Sequence, residues 1–84
     1  MLDRLYVVYD TIALEAAPVF HAKNDGVAKR QFDRMISSPN VTNPEDYRLY
    51  YVGSFDTEKM ELRVATSPAE VFVTKEEYDN AAEN

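Results

Sequence analysis

Asn24 to Ser38, NDGVAKRQFDRMISS, is the one convincing helix in this 84-residue chain, and it dictates what the rest must do. Val27, Ala28, Gln31, Phe32, Met35 and Ile36 recur at three- and four-residue steps, which predicts an apolar stripe along one side of a helix that other elements must cover. Lys29, Arg30, Asp33 and Arg34 fall on the opposite, solvated side. Asn24 or Asp25 suits the N-cap, because either side-chain oxygen can accept from the free N–H groups of the first turn. Asp25 also complements the positive end of the helix dipole. Pro39 forces Ser38 out of the helical region and ends the run.

Strands supply the cover. Leu5 to Tyr9, LYVVY, is β-branched and aromatic and stops near Asp10; apolar residues on both parities suit a central position. Thr11 to Ala17 reads as a loop with one turn of helix. Pro18 to Ala22 reads as a short strand, with the proline at its first position where a missing N–H does least damage. Pro39 to Asp46 is a loop on turn chemistry. Tyr47 to Phe55, a four-residue connection Asp56 to Lys59, and Met60 to Ala65 read as a hairpin. Strict alternation places Tyr47, Leu49, Tyr51, Gly53 and Phe55 on one face, with Met60, Leu62 and Val64, toward the helix. Arg48, Tyr50, Glu61 and Arg63 take the other face. Gly53 marks either a bulge or a close approach of the helix backbone. Ser67 to Glu70 can cap a helix, while Val71 to Val73 reads as an edge strand; both readings stay open. Thr74 and Glu77 have capping-box spacing, so a short final helix is consistent with the sequence.

The expected architecture is a single α+β domain over residues 1–74: an antiparallel sheet of about four strands with one helix packed on one face, in the order β-β-α-β-β. A short acidic segment, 75–84, follows as a brief helix or a frayed end. A chain this short buries only about 60 to 65% of the surface its unfolded form exposes, so dimerisation would help it.

Composition removes several function classes. There is no cysteine, which excludes disulfides and thiolate metal sites and favours a reducing, intracellular setting. Asp3, Arg4 and Asp10 break or bound the first apolar run, so no signal peptide is expected, and no stretch approaches the roughly 20 apolar residues of a membrane span. His21 is the only histidine and lacks companions for metal binding or a proton relay. The serines and threonines sit without a strained nucleophile turn, and two glycines cannot build a phosphate-cradling loop. No catalytic residue, metal or cofactor is expected.

Nucleic acid is a different matter. The net charge of −6 opposes coating by phosphate neutralisation alone, but residues 70–84 hold Glu70, Glu76, Glu77, Asp79 and Glu83 against Lys75, leaving the body close to balanced. Arg48, Tyr50 and Arg63, joined by Tyr6, would form an aromatic and basic sheet face, and Lys23, Lys29, Arg30 and Arg34 a separate basic stripe. Tyrosine faces stack on unpaired bases while Arg and Lys follow phosphates, an arrangement better suited to single strands than to duplex. On physics alone the face reads first as a solvated sheet surface, with Glu61 among alternating charges and tyrosines that suit half-buried strands. It is also what a protein interface contains, since Tyr and Arg often supply hot spots, and an exposed strand edge could extend the sheet into a dimer.

PVFHAKNDGVAKRQFDRMI and PEDYRLYYVGSFDTEKMEL together resemble the small nonstructural protein of gokushoviruses, single-stranded DNA phages of the microvirus group. The likeness spans roughly residues 5–65. It rests on a short strand ending in Asp10, a PxF strand leading to a helix with Ala28, Arg30 and Phe32, the run Pro44, Glu45, Asp46, Tyr47, and Gly53, Phe55 and Asp56 at the hairpin. This chain departs from the family pattern at Glu58, Lys59 and Met60, where a glycine is common, and its end beyond Pro68 has no firm counterpart. The resemblance implies a noncatalytic protein of the infected bacterium's cytoplasm that assists genome replication or packaging by contacting single-stranded DNA. The alternative is a homodimeric interaction module that binds a phage or host protein and no nucleic acid.

Overall fold

A computed structural model describes residues 2–81. Strand β1 (Leu2–Asp10) is the centre of an antiparallel sheet. On one side it pairs with β2 (Glu15–Ala16) and β3 (Phe20–Ala22), and on the other with β4 (Tyr47–Asp56), which pairs in turn with β5 (Glu61–Glu70). Helix α1 (Asp25–Ile36) lies on one face, and a short α2 (Lys75–Asn80) packs beside it. The architecture is therefore the expected α+β sheet with one main helix. It gains a fifth, two-residue strand where a loop with one turn of helix was expected.

That extra strand has a local cause. Asp10 Oδ1 accepts from the N–H groups of Ile12 at 2.9 Å and Ala13 at 3.0 Å, and Leu14 N–H donates to the Asp10 carbonyl at 2.9 Å. The resulting tight turn, with Leu14 in the left-handed region at φ 57, reverses the chain so that Glu15 and Ala16 pair with Asp10 and Tyr9. Chain reversal at a capped aspartate wins over the helical preference of Ala, Leu and Glu.

Helix α1 begins where its cap requires. Asn24 Oδ1 accepts from Val27 N–H at 2.9 Å, and Ser37 Oγ donates to the Arg34 carbonyl at 3.0 Å at the far end. Its buried stripe is Gly26, Val27, Ala28 and Phe32, while Met35 is exposed. Those side chains meet Tyr6, Val8, Ala22 and Leu49 from three strands to make the core, with Tyr6 wholly buried.

The region after the hairpin departs from expectation. β5 runs on through Pro68 to Glu70, so Ser67 caps no helix. Residues 71–73 are not a strand, although Val71 N–H still donates to the Leu49 carbonyl at 2.9 Å. α2 has the predicted capping box, with Thr74 Oγ1 accepting from Glu77 N–H at 3.1 Å and the Glu77 carboxylate accepting from Thr74 N–H. Gly26 makes the close approach to α2 possible: a Cβ there would stand 2.8 Å from the Glu77 carbonyl oxygen. The final part of the acidic segment, 82–84, lies outside the described residues. No described helix is long and apolar enough to cross a membrane.

Candidate functional site

One residue decides what the open face of the sheet presents. Tyr6 pairs with Tyr51 but its neighbour Leu5 pairs with Gly53, so Val52 is an extra residue in β4 and every side chain beyond it changes face. Leu49 and Tyr51 point to the helix, as alternation from Tyr47 predicts, and Arg48 and Tyr50 point away. Past the bulge the assignment inverts. Gly53 and Phe55 join Leu5 and Asp3 on the face away from the helix, opposite Val64 and Leu62 of β5. Ser54, paired with Arg4 on one side and Arg63 on the other, points to the helix side. The expected assignment of Phe55, Leu62 and Val64 to the core is therefore corrected.

The open face is consequently apolar over much of its area. At one end Leu5, Phe55 and Leu62 line a shallow cleft of about 500 Å³ with Asp3, His21 and Thr57. At the other, Val7, Tyr9, Tyr50, Val52, Ala16 and Pro68 line a second of about 520 Å³. Tyr9 and Tyr50 meet edge to face with centroids 6.0 Å apart. Two pairs of polar side chains lie close together on this face. His21 Nδ1 stands 3.5 Å from Asp3 Oδ2, an ion pair only when the imidazole is protonated, and Arg48 Nε stands 3.9 Å from Glu70 Oε2. Leu62 and Val64 are 63% and 78% exposed, well above what a core face would show.

The expected nucleic-acid residues fall on separate surfaces. Arg48 and Tyr50 do share the open face, but Arg63 lies on the helix side and Tyr6 is buried beneath the helix. Arg48 is further tethered by donating to the Glu45 carbonyl, and to the Tyr47 carbonyl at 2.9 Å. Lys23 is exposed in the bend before α1. Lys29 donates to Asp33 Oδ1 at 3.0 Å and sits 4.7 Å from the Phe32 ring centroid. Arg30 clamps α2: it donates to the Tyr78 carbonyl at 3.0 and 2.8 Å and to the Asp79 carbonyl at 3.3 Å, with its guanidinium 5.0 Å from the Tyr78 ring centroid. Arg34 is exposed near the end of α1. Sequence reasoning missed the apolar cluster of Leu5, Phe55, Leu62 and Val64, for which Gly53 was the available signal.

A different cluster holds helix to sheet. Tyr6 Oη donates to Asp25 Oδ1 at 2.5 Å, and Arg4 Nε donates to Asp25 Oδ1 at 3.2 Å and to Tyr6 Oη at 2.9 Å. The Arg4 guanidinium also lies 4.2 Å from the Tyr51 ring centroid. Burial first, and then donation to Asp25, pushes the Tyr6 hydroxyl far above its ordinary pKa of 10.0. Its proton is held in place as a structural donor.

Compared with known proteins, the chain matches a family model described as phage ORF5 protein over residues 3–78. No curated protein matches it, and no solved structure matches it.

Proposed function

The chain belongs to the phage ORF5 protein family, and from that premise we propose that it is a noncatalytic gokushovirus protein that works by protein contact through the open face of its sheet. It assists genome replication or packaging in the cytoplasm of the infected bacterium. The observation that carries this reading is the apolar face built by the Val52 bulge, with Asp3 beside His21 and Arg48 beside Glu70 among its polar side chains. Apolar centres with satisfied polar groups at the margin are how protein interfaces are organised. A surface for phosphate would instead gather unneutralised cations, and in a chain of net charge −6 the basic side chains divide among the helix, the helix side of the sheet and the open face.

One observation favours a second reading, contact with single-stranded DNA. Tyr9, Tyr50 and Arg48 lie together at one end of the open face, where an unpaired base could stack and a phosphate could reach the guanidinium. Two measurements separate the readings. Protein capture from infected cells is expected to succeed with the wild type and with Lys29→Glu, and to fail with Phe55→Asp, which places a charge on the apolar face. Fluorescence anisotropy with labelled oligonucleotides is expected to show no saturable binding at tens of micromolar at low salt. Saturable binding that Tyr50→Ala weakens would overturn the protein-contact reading in favour of DNA.

A further inference from the structure

β5 lies at the margin of the sheet and, among the described residues, pairs only with β4. Its two halves differ. Glu61 to Val64 match Asp56 to Gly53 one for one, which leaves a straight segment with an unused row of backbone donors and acceptors. Beyond it, Val64 pairs with Gly53 but Ala69 with Tyr51, so residues 65–68 make an excursion that ends at Pro68, which has no N–H to donate. The half beyond Val64 is protected against pairing; the straight half is not. It is also where Leu62 and Val64 stand largely exposed, with Met60 in the adjoining turn 82% exposed.

Charge restricts how a second copy of β5 can meet this edge. Glu61 and Arg63 sit on the helix side of the sheet, two residues apart, while Leu62 sits between them on the open face. In an antiparallel pairing with a two-fold axis normal to the sheet, residues of the same face oppose one another. An axis through Glu61 sets carboxylate against carboxylate, and one through Arg63 sets guanidinium against guanidinium, each unfavourable across a strand pair. An axis through Leu62 sets Glu61 against Arg63 twice and Leu62 against itself, while Val64 falls beside the turn that ends at Met60, where the backbone leaves the strand with φ 55. For two chains each carrying a net charge of −6, a contact with two compensating pairs is the one that association can tolerate.

We propose that two copies of the chain join edge to edge along Glu61 to Arg63 of β5, antiparallel about an axis at Leu62, with Glu61 of each copy against Arg63 of the other. The sheet then runs unbroken through both copies with the helices on one side. The apolar clusters of Leu5, Phe55, Leu62 and Val64 merge across the axis into a single open face twice the size. This partner assignment rests on reading the chain as an interaction module and specifies one partner of that module as itself.

Sedimentation equilibrium of the full chain from about 1 µM to about 1 mM tests it, a range that brackets the weak affinities expected of a short edge pairing. The wild type is expected to dimerise. Glu61→Arg, which sets like charges opposite each other twice, is expected to weaken the dimer at least about tenfold, and the double inversion Glu61→Arg with Arg63→Glu to restore it to within about threefold. Circular dichroism confirms that each variant is folded. As an independent measurement, Leu62→Cys is expected to cross-link into a covalent dimer under mild oxidation, whereas Thr57→Cys is not. A wild type that stays monomeric overturns the inference, as does a dimer indifferent to Glu61→Arg, one that the double inversion fails to restore, or a Leu62→Cys chain that does not cross-link. A monomer that still captures a separate protein through Phe55 removes the dimer alone and leaves the interaction reading in place.

Discussion

The Tyr6 hydroxyl donates to Asp25 Oδ1 at 2.5 Å, which ties the wholly buried ring of the central strand to the first turn of the helix that covers it. Asp25 also favours the positive end of the helix dipole, so one carboxylate serves both the local stability of α1 and its attachment to the sheet. Tyr6→Phe keeps the ring and its stacking on Phe20 but leaves Asp25 with Arg4 as its remaining side-chain donor in this cluster. The expected loss is about 1 to 2 kcal/mol in urea unfolding.

Alkaline pH probes the same pair. The native hydroxyl keeps its proton well above the ordinary pKa of 10.0, whereas the unfolded chain releases it near that value. The native state therefore binds more protons in that range. Its stability contribution is complete below about pH 10 and is lost as pH rises beyond it. Urea midpoints measured from pH 8 to pH 11 are expected to fall steeply at the alkaline end for the wild type and less steeply for Tyr6→Phe.

α2 is held by two features that can be removed separately. Thr74→Ala deletes the capping box and is expected to cost about 1 kcal/mol, read as faster amide exchange in Lys75–Asn80 with α1 undisturbed. Gly26→Ala acts at the contact itself: the new Cβ meets the Glu77 carbonyl oxygen at 2.8 Å and the Ala81 Cβ at 2.9 Å. Backbone and a methyl group cannot swing aside as a long side chain would, so α2 must shift away and weaken the Arg30 clamp on Tyr78. Loss of exchange protection in α2 that exceeds the effect of Thr74→Ala is the expected result.

Two aspartates contribute to the acid limb. Asp10 accepts from Ala13 and Ile12 N–H groups, and Asp56 from Lys59 and Glu58 N–H groups, and these bonds hold both carboxyls below their ordinary range. A carboxyl with a lowered native pKa stabilises above its unfolded pKa, near 4, and loses that contribution as pH falls through the native value. Asp10→Asn and Asp56→Asn keep an acceptor oxygen for the turn but remove the titration. Thermal midpoints measured from pH 5 down to pH 2 are expected to decline less steeply for each variant than for the wild type.

What the sequence disclosed and what it concealed divide along a physical line. Helix α1 was legible because Val27, Ala28 and Phe32 repeat at helical spacing and Asn24 announces the cap. The hairpin of β4 and β5 was legible because alternation there is long and its turn is polar. The two-residue β2 was hidden because it exists through the Asp10 cap, a hydrogen-bonding event that apolar periodicity does not register. The faces were misassigned beyond Val52 for a sharper reason: strand alternation has a period of two, so one extra residue inverts every later side chain. Arg63 left the company of Arg48 and Tyr50 on that account, and Phe55, Leu62 and Val64 left the core. The glycine that follows the bulge was visible, but a glycine alone does not tell which backbone comes close.

In the structure it is β5 that comes close to Gly53. A Cβ built there would stand 2.3 Å from the Arg63 carbonyl oxygen and 3.3 Å from Val64 Cα, both backbone atoms that cannot yield without moving the strand. Gly53→Ala must therefore push β5 away from β4 or force the chain out of its bulged register, and removing the bulge would turn Phe55 toward the helix and Ser54 toward the open face. Either outcome disturbs a buried position, with an expected cost of about 2 to 4 kcal/mol, in the range of the more damaging single substitutions. Ser54→Ala, one residue on and free of that contact, is the control and is expected to stay within about 1 kcal/mol of the wild type. Urea unfolding measures both. A Gly53→Ala chain as stable as Ser54→Ala would mean that the bulge at Val52 does not fix the faces, and the open apolar surface would lose its structural basis.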